Sequence, residues 1–354
     1  MTESQAGTGT RRRRMRAMLW SVVLIAAGAM LLPLAGYVWT AVAQAEEQQE
    51  AAGDATNPRS EYWREVRSGE AGYTSVTGPE TGVLVQSRGQ TWREVRNGPV
   101  ITIGAIMVLG VLLVLLAYHL KTGGAKLRHR TGRKVLRWPM FDRVLHWYTA
   151  TLFIILAITG LSLLWGRIVL IPVLGKTGFA AWAGIAKPVH DYLALAFALG
   201  LAVMLIKWFK HNIPRAYDAQ WFKQAGGYFD GSHPPAGFTN GGEKAYYWLL
   251  VVAGTTIVVS GFYMLFPNLG FERAAMQNAN IIHGISSLLV ITAVCAHIYL
   301  GTAGSEGAFE GMVTGEVDEG WAEQHHNLWL EEVKQGGTVA RAGDAPDRSA
   351  TASA

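Results

Sequence analysis

The chain has 354 residues, of which 50% are hydrophobic and only 16% are charged, whereas a soluble domain is typically about 25% charged. Several uncharged apolar runs of about twenty residues, the length that spans a bilayer, explain the low charge. This composition excludes a disordered chain, a disulfide-rich scaffold and an ordinary soluble enzyme. Cys295 is the single cysteine, which excludes an intrachain disulfide, an iron–sulfur cluster and a c-type haem attachment.

The first 45 residues have the pattern of a secretory signal peptide. The sequence RRRRMR at residues 11–16 precedes an apolar run, and an A-x-A site at residues 43–45 follows it. Because the apolar run is long for a signal peptide, an uncleaved membrane anchor is the alternative. Residues 46–98 are polar and are predicted to form a periplasmic segment, in which WREVR occurs twice, at residues 63–67 and 92–96.

Five further apolar runs predict transmembrane helices at residues 99–120, 144–166, 190–208, 245–267 and 280–302. The loop at residues 121–143 contains eight basic residues and one acid, Asp142, so the positive-inside rule places it in the cytoplasm. Strict alternation then puts the loop at residues 167–189 in the periplasm. It also puts the tail at residues 303–334 in the cytoplasm, followed by a disordered tail at residues 335–354. Since the basic residues cluster beside apolar runs, nucleic-acid binding is disfavoured, and the predicted location is the bacterial inner membrane.

Four histidines lie in or at the ends of the last four runs, where ionisable residues are costly and usually functional. His283 and His297 lie fourteen residues apart in the last run, so both leave the same helix face, about 21 Å apart along the axis. By depth, His146 pairs with His297 near the cytoplasmic side, and His190 pairs with His283 near the periplasmic side. Two imidazole pairs at two depths predict two b-type haems, each with two axial histidines.

A set of satisfied polar residues within the bundle is the alternative for these histidines. Zinc is a poorer explanation, because ligands about 21 Å apart cannot share one ion. Gly160 lies fourteen residues after His146, and its missing side chain would let the periplasmic-side haem approach the helix; ordinary small-residue packing is the alternative. The predicted fold is an all-α membrane protein. It has a four-helix, haem-binding transmembrane bundle at residues 144–302, one additional N-terminal transmembrane helix and a signal peptide.

The placement of the four histidines resembles that in the gamma, or cytochrome b, subunit of respiratory formate dehydrogenase, over about residues 135–333. Related quinone-reducing cytochromes, including the hydrogenase subunit, share this frame, and two further segments narrow the resemblance. The tail GMVTGEVDEGWAEQHHNLWLEE at residues 311–332 is similar to the family's post-helix segment. The loop FTNGGEK at residues 238–244 resembles the stretch before the fourth span of the bundle. The first 120 residues have no counterpart in the four-helix members of the family.

The resemblance implies roles for particular residues. Asn240 and Gly242 would help to shape a pocket for menaquinone or ubiquinone beside the inner haem, and His325 and His326 would order water or protons near it. Formate would be oxidised on a molybdenum- or tungsten-containing alpha subunit, and an iron–sulfur beta subunit would pass the electrons to the outer haem. This chain contains no formate-oxidising residue.

The sequence therefore predicts the electron-transfer subunit of a quinone-reducing formate dehydrogenase, embedded in membrane lipid. One alternative is the same cytochrome serving a hydrogenase or another periplasmic oxidoreductase. Another alternative is a haem-free membrane anchor. A transporter is disfavoured, because the sequence shows no inverted repeat of spans.

Overall fold

The computed structural model describes residues 87–336, together with Arg64, Arg67 and Ser68. The predicted signal peptide at residues 1–45, most of the predicted periplasmic segment and nearly all of the predicted disordered tail lie outside the described residues. Within the described part, the chain is almost entirely helical, as its composition predicts, with one short two-stranded sheet.

Ten α-helices and two strands follow one another in the described part of the chain. In order they are α1 (Ser87–Val95), α2 (Ile101–Thr122), β1 (Lys134–Leu136), α3 (Met140–Trp208), α4 (Asp218–Lys223), α5 (Gly241–Leu249), α6 (Thr255–Leu265), α7 (Arg273–Tyr299), α8 (Ala308–Val313), β2 (Glu316–Asp318), α9 (Glu319–His325) and α10 (Asn327–Gln335). Short π-helical turns join α1 to α2 and α5 to α6. With these turns included, four helices are long and apolar enough to cross a membrane: Gly89–Thr122, Met140–Asn212, Gly241–Leu265 and Arg273–Gly304.

The prediction that residues 167–189 form a loop is wrong, because they are helical on both sides of one interruption and belong to α3. Their periplasmic location stays a prediction. Only Gly175 interrupts the helix, with φ of 71° and ψ of 172°, a left-handed conformation that glycine adopts at little cost. The two arms pack against each other in antiparallel fashion. Trp182 donates from Nε1 to Ser162 Oγ (2.8 Å), and Phe179 packs against Gly166. The loop was predicted from hydropathy and charge, which indicate where a span ends but not where a helix ends. The apolar, alanine-containing residues 167–189 can therefore continue the helix past the predicted end of the span.

Several predicted spans also begin later than the helices that contain them. The span predicted at residues 245–267 starts at Gly241 in the structure, and the span predicted at residues 280–302 starts at Arg273. The second WREVR copy lies in α1 and the turn after it, where Trp92 donates from Nε1 to Asn280 Oδ1 (3.2 Å). Helix ends outside the membrane are set by capping and local packing, which a hydropathy window does not report.

The chain divides into two compact units, and the long helices contribute residues to both. Among the described residues, unit 1 comprises residues 87–112, Ile155–Leu195 and Ala253–Thr292. Unit 2 comprises Leu113–Ile154, Ala196–Val252 and residues 293–336. In unit 1, α2 packs tightly on α7, since a Cβ added at Gly104 would overlap the Leu288 side chain.

Unit 2 contains a small core outside the transmembrane helices. Strands β1 and β2 pair in antiparallel register, with Val135 opposite Val317. Both valines are buried, and they form one hydrophobic cluster with Trp321 and Trp329 of the tail. The basic loop and the tail, which are far apart in the sequence, therefore fold together.

Candidate functional site

Unit 1 brings together two of the predicted histidines, His190 from α3 and His283 from α7. Their ring centres lie 6.2 Å apart, and the ring planes meet at 76°. We call these two residues the unit 1 pair. This separation is within the range of an edge-on contact between two rings.

Hydrogen bonds fix the orientation of both rings in the unit 1 pair. Thr159 Oγ1 donates to Ile155 O (2.8 Å) and so accepts from Nδ1 of His190 (2.9 Å). On His283, Nδ1 donates to Ile257 O (3.0 Å) and lies 3.2 Å from Ser260 Oγ. With each Nδ1 carrying the proton, each Nε2 keeps a lone pair that can bind a metal.

A glycine lies against each imidazole of the unit 1 pair. A Cβ added at Gly160 would lie 3.0 Å from Cε1 of His190, which is tighter than ordinary contact. A Cβ added at Gly261 would lie 3.4 Å from Cε1 of His283, which is an ordinary contact. Gly160 therefore makes room for the histidine ring itself, a role that the sequence did not indicate.

Unit 2 brings together the other two predicted histidines, His146 from α3 and His297 from α7, which we call the unit 2 pair. Their ring centres lie 6.1 Å apart at an interplanar angle of 57°. Tyr246 stacks on His297, with ring centres 4.7 Å apart and planes within 8°. Nδ1 of His146 is buried and has no hydrogen-bond partner among the described residues. The unit 2 pair is thus positioned mainly by aromatic packing.

The spacing of both pairs fits an iron ion with two axial imidazoles. An imidazole nitrogen binds a transition metal at about 2.0 Å and lies about 1.1 Å from its own ring centre, so two rings on opposite sides of one ion have centres about 6.2 Å apart. The observed values are 6.1 and 6.2 Å. No group of three or more His, Cys, Asp or Glu side chains that could hold a metal ion occurs among the described residues. Each pair offers only two ligands, which suits a haem, whose macrocycle supplies the others.

Asn240 and Gly242, the residues predicted to shape a quinone pocket, lie at the start of α5. Asn240 caps the helix, because its Oδ1 accepts from the N–H of Glu243 (2.9 Å) and Glu243 accepts from the N–H of Asn240 (2.9 Å). This reciprocal arrangement is a capping box. A Cβ added at Gly242 would lie 2.5 Å from the ring of Trp221. Both residues therefore have structural roles, and the amide nitrogen of Asn240 is not used in the cap.

A buried arginine holds the capping carboxylate in place. Arg137 donates from Nη2 to Glu243 (3.1 Å) and to Phe238 O (2.9 Å), and its guanidinium lies 4.8 Å from the ring centre of Trp321. Burial lowers the pKa of Arg137, although Glu243 opposes the shift. The paired carboxylate and the aromatic rings offset part of the hydration that this cation loses, while its Nε and Nη1 have no hydrogen-bond partner among the described residues.

The two tail histidines lie in different surroundings. His326 is fully buried and contacts Gly237 O through Nδ1 (2.8 Å), and burial, then the charge of Arg137, lower its pKa. The ring of His325 lies beside that of Trp321 in a tilted arrangement, with ring centres 5.4 Å apart. Burial, followed by the charges of His233 and Arg137, lowers the pKa of His325 to about 4. Both rings are therefore neutral at neutral pH.

Thr159, Ser260 and Tyr246 were missed by the sequence reasoning. A signal for the first two is present, because each hydroxyl residue directly precedes the glycine that borders a histidine: Thr159-Gly160 and Ser260-Gly261. Tyr246 gives no comparable signal, since an aromatic residue at the end of a span is ordinarily an interfacial anchor.

Comparison with known proteins adds to this geometry. A family model described as prokaryotic cytochrome b561 matches residues 137–315, which contain all four histidines but not α2. The nitrate-inducible formate dehydrogenase cytochrome b556(Fdn) subunit of Escherichia coli (strain K12) is 24% identical over 209 residues, which cover 58% of this chain and 94% of that protein. The formate dehydrogenase cytochrome b556(fdo) subunit of the same organism is 24% identical over 205 residues, covering 57% and 94%. The formate dehydrogenase cytochrome b556 subunit of Haemophilus influenzae is 25% identical over 214 residues, covering 59% and 87%.

Proposed function

The chain belongs to the prokaryotic cytochrome b561 family, and on that premise we propose that it is the di-haem cytochrome b subunit of a formate dehydrogenase complex. It would carry electrons across the bacterial inner membrane to a quinone. The observation that carries the proposal is the separation of the ring centres in both histidine pairs, 6.1 and 6.2 Å. The similarity to three formate dehydrogenase cytochrome b556 subunits supports formate dehydrogenase as the complex.

Each histidine pair would hold one haem b, which supplies the one-electron chemistry of its iron. His190 and His283 would bind one iron through Nε2, because Thr159 and Ile257 engage their Nδ1 atoms. His146 and His297 would bind the other. Gly160 would give clearance to the first haem as well as to the ring of His190.

We infer the direction of transfer from the charge distribution of the sequence. The basic loop at residues 121–143 would lie in the cytoplasm, so the unit 1 pair would face the periplasm and the unit 2 pair the cytoplasm. An iron–sulfur subunit and a molybdenum- or tungsten-containing subunit would dock outside and supply the electrons. Helix α2, which precedes the matched family region, would be an additional span after a signal peptide.

The quinone would bind near the unit 2 pair, beside Asn240 and Gly242. Asn240 caps the helix that carries Tyr246, and six residues of helix span about 9 Å. Tyr246 in turn stacks on His297. A serine at position 240 would keep a good helix cap while removing the amide. We therefore expect Asn240→Ser to slow quinone reduction several-fold with both haems retained, measured as the turnover of the purified complex.

The proposal is tested by purifying the intact complex from membranes and measuring haem with the pyridine haemochrome assay. We expect two b haems per copy of this chain, together with molybdenum or tungsten and formate-dependent quinone reduction. Zero or one haem per chain would contradict the di-haem assignment. Co-purification of a hydrogenase large subunit would replace formate dehydrogenase by the alternative complex, and an absent Soret band would favour a haem-free anchor.

A further inference from the structure

Unit 2 contains a cavity of about 270 Å³ where the end of α2, the glycine-rich loop before α5 and the tail meet. Glycines with positive φ allow its walls to approach closely. A Cβ added at Gly227 (φ 75°) would overlap Ser232 O, and one added at Gly124 (φ 83°) would lie 2.7 Å from Ala303 O. Small-molecule pockets range from about 300 to 1,000 Å³, so this volume suits a small group rather than a whole cofactor.

Four of the residues around the cavity have side chains with a positive charge or a ring nitrogen. Lys126, Arg128, His233 and His325 line it, and none of its lining residues is an acid. Arg128 donates from Nη2 to Gly231 O (2.9 Å), which anchors one arm of the guanidinium and leaves its other donors available. Nε2 of His233 is buried without a hydrogen-bond partner among the described residues. The cavity therefore presents donors that the chain itself does not satisfy.

The two histidines at this cavity are neutral at neutral pH. The pKa of His233 is lowered by burial and then by the charge of Arg128. Burial lowers the pKa of His325 to about 4. A neutral imidazole donates one N–H, so these rings can contribute donors to an anion while Lys126 and Arg128 contribute the charge.

Helix α2 is long and apolar enough to span a bilayer, and it ends at Thr122, which lines the cavity. The cavity would therefore lie at the level of a membrane surface. The ring of Phe229 is 82% exposed and meets Tyr118 edge-on, with ring centres 6.1 Å apart. Such aromatic residues are typical of the headgroup region. Carbonyl oxygens at the end of α2 would repel an anion, but Gly123 N–H and Thr122 Oγ1 already donate to two of them (2.8 and 2.9 Å).

We propose that this cavity binds the phosphate group of an anionic ligand, with Lys126 and Arg128 as its charged donors and His233 as a neutral donor. Lysine and arginine are the side chains that bind phosphate most strongly. The phosphate could be supplied by a membrane phospholipid or by a soluble phosphate. None of the four paired histidines lines this cavity, and α2, which forms part of it, lies outside the matched family region.

The test uses the detergent-purified full-length chain in three titrations, followed by native mass spectrometry and calorimetry. The probes are inorganic phosphate, dioctanoyl phosphatidylglycerol and the phosphate-free dioctanoylglycerol. We expect one site per chain for the phosphate-bearing probes and none for dioctanoylglycerol. Tighter binding of phosphatidylglycerol identifies a lipid as the ligand, and tighter binding of inorganic phosphate identifies a soluble one.

A double variant, Lys126→Gln with Arg128→Gln, removes both charges. Since a hydrogen bond to a charged group is worth about a tenfold change in affinity or more, we expect at least about a hundredfold weaker binding. Lys121→Gln removes a nearby charge from the last turn of α2, outside the cavity lining, and should change the affinity less than about twofold. The proposal is overturned if the phosphate-bearing probes do not bind, if dioctanoylglycerol binds equally well, or if the double variant keeps its affinity. The first two results need no variant, so a failure of the double variant to fold leaves the test intact.

Discussion

The two histidine pairs have nearly equal spacing but are held in different ways. In unit 1, Thr159 and Ile257 engage Nδ1 of the two rings by hydrogen bonds, and a glycine lies against each ring. In unit 2, Tyr246 stacks on His297, and Nδ1 of His146 has no hydrogen-bond partner among the described residues. The two histidine pairs are thus positioned by polar contacts in one unit and by aromatic packing in the other.

This difference has a consequence for the proposed haems. A hydrogen bond from Nδ1–H makes an imidazole a more basic ligand, and a more basic ligand stabilises oxidised iron. We therefore expect the haem of the unit 1 pair to have the lower reduction potential. Electrons that enter at unit 1 would then pass downhill to unit 2. The following predictions test this contrast, from the largest effect to the smallest.

Removing one ligand should have the largest effect. His283→Ala should eliminate the unit 1 haem and His297→Ala the unit 2 haem, so each variant should contain about half of the wild-type haem in the pyridine haemochrome assay. His233→Ala provides a matched histidine control outside both pairs and should retain both haems. If the first two variants kept both haems with unchanged spectra, the ligand assignment would be wrong.

The two glycines of unit 1 should respond differently to the same change. Gly160→Ala places a methyl group 3.0 Å from His190 and must displace the ring, which should cost about 1–3 kcal/mol. We expect partial loss of the unit 1 haem, measured by haem content and by the thermal midpoint of the Soret band. Gly261→Ala introduces only an ordinary contact of 3.4 Å with His283 and should behave like wild type. Equal behaviour of the two variants would show that the close approach at Gly160 is unimportant.

The hydrogen bonds to Nδ1 should appear in the potential of the unit 1 haem. Thr159→Val keeps the side-chain shape and removes the Thr159 acceptor for His190, while Leu156 O remains as a second acceptor. The potential should therefore rise by up to about 40 mV, the equivalent of roughly 1 kcal/mol for one electron. Ser260→Ala should have a smaller effect, since Ile257 O also accepts from His283. A redox titration monitored by the haem absorption bands would measure both shifts. An unchanged or lowered potential in Thr159→Val would remove the reason for the proposed downhill order.

The stacked tyrosine should have the smallest effect and should act only on unit 2. Tyr246→Leu removes the flat ring against His297, so the orientation of that imidazole should become heterogeneous. We expect broader electron paramagnetic resonance features for the unit 2 haem and an unchanged unit 1 haem. Tyr246→Phe keeps the ring and should match wild type. Broadening in both variants would implicate the phenol hydroxyl instead of stacking.

Much of the helical fold could be predicted, because apolar runs report the transmembrane helices directly. The histidine pairing by depth needed only the helical repeat and the order of the spans, and the structure does bring the members of each pair to within about 6 Å. The helical continuation through residues 167–189 could not be predicted, since neither charge nor hydropathy distinguishes a loop from a protruding helix. The cap at Asn240 has a local sequence signal, whereas its support by Arg137 depends on a contact between residues 106 positions apart.

Arg137 has a consequence for how this part of the chain folds. Its guanidinium is enclosed by side chains from three separate segments. These are Phe238 in the loop before α5, Glu243 at the start of α5, and Trp321 and Trp329 in the tail. A buried cation is tolerated only while all of its partners are present, because each missing partner leaves charge without solvent or counter-ion. The basic loop, the start of α5 and the tail should therefore unfold cooperatively, and deleting the tail should destabilise the helix cap at Asn240 even though the two are distant in sequence.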